Sequence, residues 1–174
     1  QHGSHVISSR RRDGRCRSEA DRSREMNLQE HVLLAPLTTL GVGGTARFFS
    51  EAQSVEEGEE ALAFARTNSL PIFVLGGGSN ILIADDGFDG LVLTPRMKGM
   101  ETENKNDRVF VTVGAGEVWD DFVLWTIERG LAGLECLSGV PGTVGGAVAA
   151  GPGCNGGQGR AKCVRAEALD TQTT

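Results

Sequence analysis

The chain of 174 residues contains no tyrosine, and only 5% of it is aromatic. Its hydrophobic fraction of 39% still suffices for a packed core. No apolar run approaches membrane-spanning length, which excludes a transmembrane helix. The basic residues near the start are not followed by an apolar core, so no secretory signal is expected. The four cysteines, Cys16, Cys136, Cys154 and Cys163, form no C-x-x-C pair. The three histidines, His2, His5 and His31, lie far from them in the chain. A zinc site is therefore not expected, and the cysteines are read as reduced thiols of a cytoplasmic protein. The phosphate-binding pattern G-x-x-x-x-G-K-[ST] is also missing, which excludes a Walker-type loop.

Acidic charge dominates, at a net −6, but unevenly. Residues 1–25 hold seven arginines against four acids, a net of +3. The rest holds ten Lys/Arg against nineteen Asp/Glu, a net of −9. An acidic globular part argues against nucleic acid as a partner. The run Arg10–Arg12 is read as part of a disordered extension spanning 1–25, with Met26 as a candidate natural start.

Glycine is abundant, with 25 residues, many of them clustered and without the period of collagen. From about Leu33 the pattern is globular. Residues 37–49, LTTLGVGGTARFF, read as extended chain, a glycine turn and a short strand. Residues 54–69 read as a helix opened by a capping box of Ser54 and Glu57, with Val55, Leu62 and Ala65 near one face. Gly58 is unfavourable inside it. Short strands are predicted at Pro71–Leu75, Ile81–Asp85 and Gly90–Thr94. A further strand is predicted at Arg108–Val113, turning on glycines up to Gly116. A second helix is predicted over Glu117–Gly130, with Trp119, Phe122, Val123 and Ile127 as its core stripe. A glycine-rich region follows at 138–159, then a strand over Ala161–Asp170. The fold class is α+β.

Two stretches carry chemistry. Gly76–Asn80, GGGSN, interrupts the most strand-like segment of the chain. Glycine admits positive φ, which turns successive N–H groups to one side as an anion-binding nest. Ser79 and Asn80 add side-chain donors. A phosphate or pyrophosphate suits such a loop, and a plain hairpin turn explains it equally well. The G-x-G-x-x-G fingerprint fails, because Ile81 takes its third glycine place. The second stretch, Val140–Ala147 (VPGTVGGA), adds exposed N–H groups, a rigid proline and the Thr143 hydroxyl. Two such loops in one small domain point to a long, two-ended ligand such as a dinucleotide.

In this order and spacing, LTTLGVGGTARFF, VLGGGSNILIADDGFDGLVL, VGAGEVWDDFV and GLAGLECLSGVPGTVGGAV resemble the UDP-N-acetylenolpyruvoylglucosamine reductase (MurB) family. That family belongs to the wider group with the PCMH-type FAD-binding domain. The resemblance runs from about Leu37 to Asp170. It implies a domain over 33–174 of two α+β subdomains with FAD clamped between them. Gly76, Gly77, Gly78, Ser79, Asn80 and Ile81 would hold the FAD pyrophosphate. Pro141, Gly142, Thr143, Gly145 and Gly146 would line the other side. The implied reaction is NADPH-dependent reduction of UDP-N-acetylglucosamine enolpyruvate to UDP-N-acetylmuramate, a peptidoglycan precursor. The implied protein is a cytoplasmic monomer acting on a nucleotide sugar, without nucleic acid or membrane.

The family's catalytic serine, arginine and glutamate have no matching positions here, so no catalytic residue is expected in this chain. It is read as the flavin-binding part without the substrate domain. Arg160 and Arg165 are read as solvated charges. The family's N-x-G-A-[YF]-G segment is replaced by Gly151, Pro152, Gly153, Cys154, Asn155 and Gly156, which puts substrate contact there in doubt. Some relatives tether FAD through histidine or cysteine. All three histidines precede the loops, so noncovalent FAD is expected. Two other functions stay open: another FAD oxidoreductase with the same domain, or a flavin-binding module without catalysis.

Overall fold

A computed structural model describes residues 27–106, 108–151 and 163–171. The extension at 1–25 lies outside them. The first lobe is a four-stranded sheet of β1 (Leu28–Leu33), β2 (Thr45–Ala52), β3 (Ile72–Val74) and β4 (Phe88–Pro95), in the order β1-β2-β4-β3. β1 runs antiparallel to β2, while β2, β4 and β3 are mutually parallel. Helix α1 (Val55–Thr67) makes the crossover between β2 and β3 that parallel strands require.

The apolar run of β4 is buried on both sides. Leu91 and Leu93 face Ala61, Leu62 and Ala65 of α1. Val92 faces the opposite way, toward Leu34, Phe49 and Leu75. This is the two-residue alternation of a strand packed on both faces.

The capping box holds. Ser54 Oγ accepts from the Glu57 amide at 3.3 Å, and Glu57 Oε2 accepts from the Gln53 amide at 2.7 Å. Gly58 is buried, with Leu169 Cδ1 only 2.9 Å from where a Cβ would stand. Its helix propensity is given up for that close packing. Val55, expected in the core, is 49% exposed because it sits in the first turn, short of the sheet.

The second lobe pairs β5 (Met100–Lys105) with β6 (Arg108–Val113) in an antiparallel ribbon. Helices α2 (Trp119–Glu128) and α3 (Val144–Ala150) pack with it. Trp119, Phe122, Val123, Leu137, Val144 and Ala147 form its core. The Trp119 indole N–H donates to the Leu137 carbonyl at 2.8 Å, so the ring is buried without stranding its polar atom. Thr126 takes the inward place expected of Ile127, which is 48% exposed. The Thr126 hydroxyl donates back to the Val123 carbonyl, which makes its burial tolerable.

Two predicted strands are absent. Ile81–Asp85 forms no ladder. Its carbonyl at Ala84 accepts one bond from the Gly44 amide, while Ile81 and Ile83 pack beneath as an irregular strap. Both edges of β4 are already taken by β2 and β3, so this segment has no place beside it. Residues 163–170 are also without regular structure and mostly exposed, Val164 at 78%. Leu169 packs against the first lobe's core, and Ala161 and Lys162 lie outside the described residues.

Candidate functional site

Loop one begins where the parallel ladder ends. The Leu75 amide donates to the Leu93 carbonyl at 2.9 Å, and the chain then turns away through Gly76–Asn80. This is the carboxyl end of the parallel strands, where open α/β sheets place their ligands. Gly78 has φ +68°, and a Cβ there would strike the Leu37 carbonyl oxygen. Its own carbonyl accepts from the Thr39 amide at 2.9 Å. The chain after the loop does not pair with β3, so the hairpin reading of GGGSN is set aside.

Loop two is held from below by the turn that precedes α2. The Trp119 amide donates to Gly142, the Val144 amide to Glu117, and the Gly145 amide to Ala115, at 3.0, 2.8 and 2.9 Å. Thr143 then caps α3, its Oγ1 accepting from the Gly146 amide at 3.2 Å. The region read as a plain glycine-rich loop therefore becomes a short helix after Thr143. Two glycines inside that helix lower its propensity. The cap and the packing of Val144 and Ala147 in the core offset them.

The two loops meet backbone to backbone. A Cβ on Gly77 would lie 2.6 Å from Gly142 Cα and 3.4 Å from the Thr143 nitrogen. One on Gly142 would lie 3.4 Å from Ser79 Oγ. All eleven residues expected from the sequence, Gly76 to Ile81 with Pro141, Gly142, Thr143, Gly145 and Gly146, fall in these two loops or their immediate flanks.

Their amides are not equivalent. Among the described residues, no main-chain hydrogen bond runs from the amides of Gly76–Asn80, Gly142 or Thr143, whereas the turn at Ser79–Asn80 directs the Ile81 amide back toward the Gly78 carbonyl. Those of Gly145 and Gly146 are consumed internally. Loop two thus offers a narrower donor set than its sequence suggests. Ile81 turns its side chain into the first lobe's core. Neither loop contains Lys or Arg. Backbone donors left unpaired on a partly exposed surface suit an anion such as a diphosphate.

Reading along the sequence missed the supports of loop two, Ala115 and Glu117. The only signal was the glycine turn after β6. Glu117 accepts the Gly99 amide at 2.8 Å through Oε1 and pairs with Lys98 Nζ at 3.1 Å through Oε2. The Gly99 amide, with help from Lys98, holds its carboxyl below the ordinary glutamate range. Asp120 is likewise lowered, by the Gly139 amide and the Ser138 hydroxyl. Both carboxylates fasten loops. Arg165 is exposed and pairs with Glu167 at 2.6 Å, as a solvated charge would; Arg160 lies outside the described residues. Among the described residues there is no disulfide, with Cys136 and Cys163 both exposed, and no metal-ligating cluster. No helix there is long and apolar enough to cross a membrane.

Comparison with known proteins completes the picture. A family model described as "FAD binding domain" matches residues 46–173. The UDP-N-acetylenolpyruvoylglucosamine reductase of Pseudomonas aeruginosa is 47% identical over 123 residues, covering 70% of this chain and 36% of that protein. The protein of the same name from Pseudomonas fluorescens is 42% identical over 149 residues, covering 85% of this chain and 44% of its own length. The crystal structure of UDP-N-acetylenolpyruvylglucosamine reductase (MurB) from Thermus caldophilus matches with a TM-score of 0.55 and 36% identity. That match covers 71% of this chain and 42% of the other. The chain spans less than half the length of each of these relatives.

Proposed function

The chain belongs to the FAD-binding domain family, and from that premise we propose that it is the flavin-binding part of a UDP-N-acetylenolpyruvoylglucosamine reductase. The observation that carries this reading is the meeting of two loops whose unpaired amides converge at Gly77 and Gly142. Bare main chain at both bends lets a diphosphate approach where any side chain would intrude.

In this reading the amides of Gly76–Asn80 hold the FAD pyrophosphate, with Ser79 and Asn80 able to add side-chain donors. Gly142 and Thr143 close the opposite side. Pro141 fixes φ just before that bend and cannot itself donate. Gly145 serves by letting α3 pack against Ala115, and Gly146 by giving its amide to the Thr143 cap, so their part is structural. FAD is read as held noncovalently, all three histidines preceding the binding loops in the chain. When bound, the flavin supplies hydride chemistry between NADPH and the enolpyruvyl double bond of the nucleotide sugar. The described residues bind and orient. The groups that polarise substrate and deliver a proton belong to further chain, beyond a domain spanning 33–174. The whole protein is read as a cytoplasmic monomer of peptidoglycan precursor synthesis.

The test is spectroscopic. The purified chain is expected to carry or take up FAD, with release of all yellow colour on acid precipitation. Anaerobic NADPH is then added with and without the enolpyruvyl nucleotide sugar. Re-oxidation by that substrate is not expected from this chain alone. A chain that shows no flavin affinity would overturn the reading.

A further inference from the structure

Resting on that flavin-binding reading, we infer that Glu117 is a positioning residue, setting the gap between the two glycine loops without touching the ligand. Its location makes it the junction of three segments. Its side chain takes the Gly99 amide and Lys98 Nζ, both in the linker that leads from β4 into β5. Its own amide donates to the Gly114 carbonyl at 3.1 Å, closing the turn after β6. Its carbonyl accepts the Val144 amide at 2.8 Å, the first amide after the Thr143 cap.

The linker is bound to that turn at two more points. The Gly114 amide donates to Gly99 and the Gly116 amide to Met97, each at 2.9 Å. The neighbouring Arg96 is tied back to the first lobe by its pair with Glu51 at 2.8 Å. A continuous path therefore runs from the first sheet through the linker, Glu117 and Val144 to Gly142, which touches Gly77 of loop one. Besides the Arg96–Glu51 pair, the substitutable polar anchor in this path is the Glu117 side chain; the remaining links are main chain. It is largely covered, with 15% side-chain exposure, so its bonds are less diluted by water than those of the exposed pairs.

Two substitutions separate geometry from charge. Glu117→Gln keeps the reach to the Gly99 amide but loses the ion pair with Lys98. Glu117→Asp keeps the charge but falls one methylene short. A positioning role predicts that FAD affinity drops about tenfold in Glu117→Asp, a change of about 1.4 kcal/mol. Glu117→Gln should remain within about threefold of the parent, or roughly 0.6 kcal/mol. Hydrogen exchange at the Val144 and Gly145 amides should quicken in the aspartate variant, while exchange in β4 stays unchanged. The reverse order of affinities would overturn the inference, as would unchanged exchange at Val144 and Gly145. Failure of the flavin reading itself shows differently: the unsubstituted chain would bind no FAD, and the exchange measurement would still decide the role of Glu117.

Discussion

The two lobes reach stability by different routes. The first buries a sheet on both faces, and Leu34, Leu91 and Val92 are fully inaccessible. The second rests on a two-stranded ribbon whose residues are all at least partly exposed, with its core gathered at one end around Trp119 and Phe122. An isolated two-stranded ribbon is marginal in water. Loop one is therefore mounted on a rigid platform, while loop two depends on a few aromatic contacts and the turn beneath it. Ligand-binding elements are commonly drawn from such low-stability parts.

The largest expected break in this contrast is Trp119→Ala. Removing a buried indole should cost about 3–5 kcal/mol. The loss should appear as accelerated exchange in α2 and α3, with β2 and β4 still protected. Equal loss in both lobes would mean that they unfold as one unit. Next comes Gly77→Ala, which drives a methyl into the Gly142 backbone. Overpacking of this kind costs about 1–3 kcal/mol. FAD affinity should fall by up to about a hundredfold and the melting temperature by a few degrees, as measured by flavin fluorescence titration beside a melt.

Smaller is Ser54→Ala. Losing the cap of α1 should cost about 1 kcal/mol. Because α1 belongs to the first lobe, the effect should be read in the denaturant midpoint and not in flavin affinity. Smallest is the pH response of the second lobe. Glu117 and Asp120 are lowered in the folded chain, so the unfolded chain binds more protons as pH falls. Their stabilisation is complete above about pH 5, beyond the ordinary carboxylate values near 4. It is lost as pH drops through the lowered folded values. Exchange in α2 and at Val144 should rise with acid in that window, less so in Glu117→Gln.

Periodicity made β2, α1, β3, β4, β6 and α2 legible, because each buries side chains at a regular spacing. β1 and β5 were not. β5 reads METENK, with Met100 its only apolar residue, and it is held through main-chain pairing with β6 that leaves no side-chain pattern. Ile81–Asp85 misled for the opposite reason: it has strand-like alternation, but both edges of β4 are taken and it packs under the sheet through Ile81 and Ile83 instead. The two loops were legible because close backbone approach demands glycine, and clustered glycine is visible in sequence; the binding roles of their eleven residues are what the family resemblance implies. Which of their amides remain free was not legible, since that depends on Ala115, Glu117 and Thr143 across the fold.

The central claim is that unpaired main-chain amides of both loops grip one diphosphate. Its most direct test is amide NMR of the isotope-labelled chain titrated with FAD. The resonances of Gly76–Asn80, Gly142 and Thr143 should shift together along a single binding curve, while those of Gly145 and Gly146 move less. Saturable FAD binding that leaves the loop-one amides unmoved would contradict it.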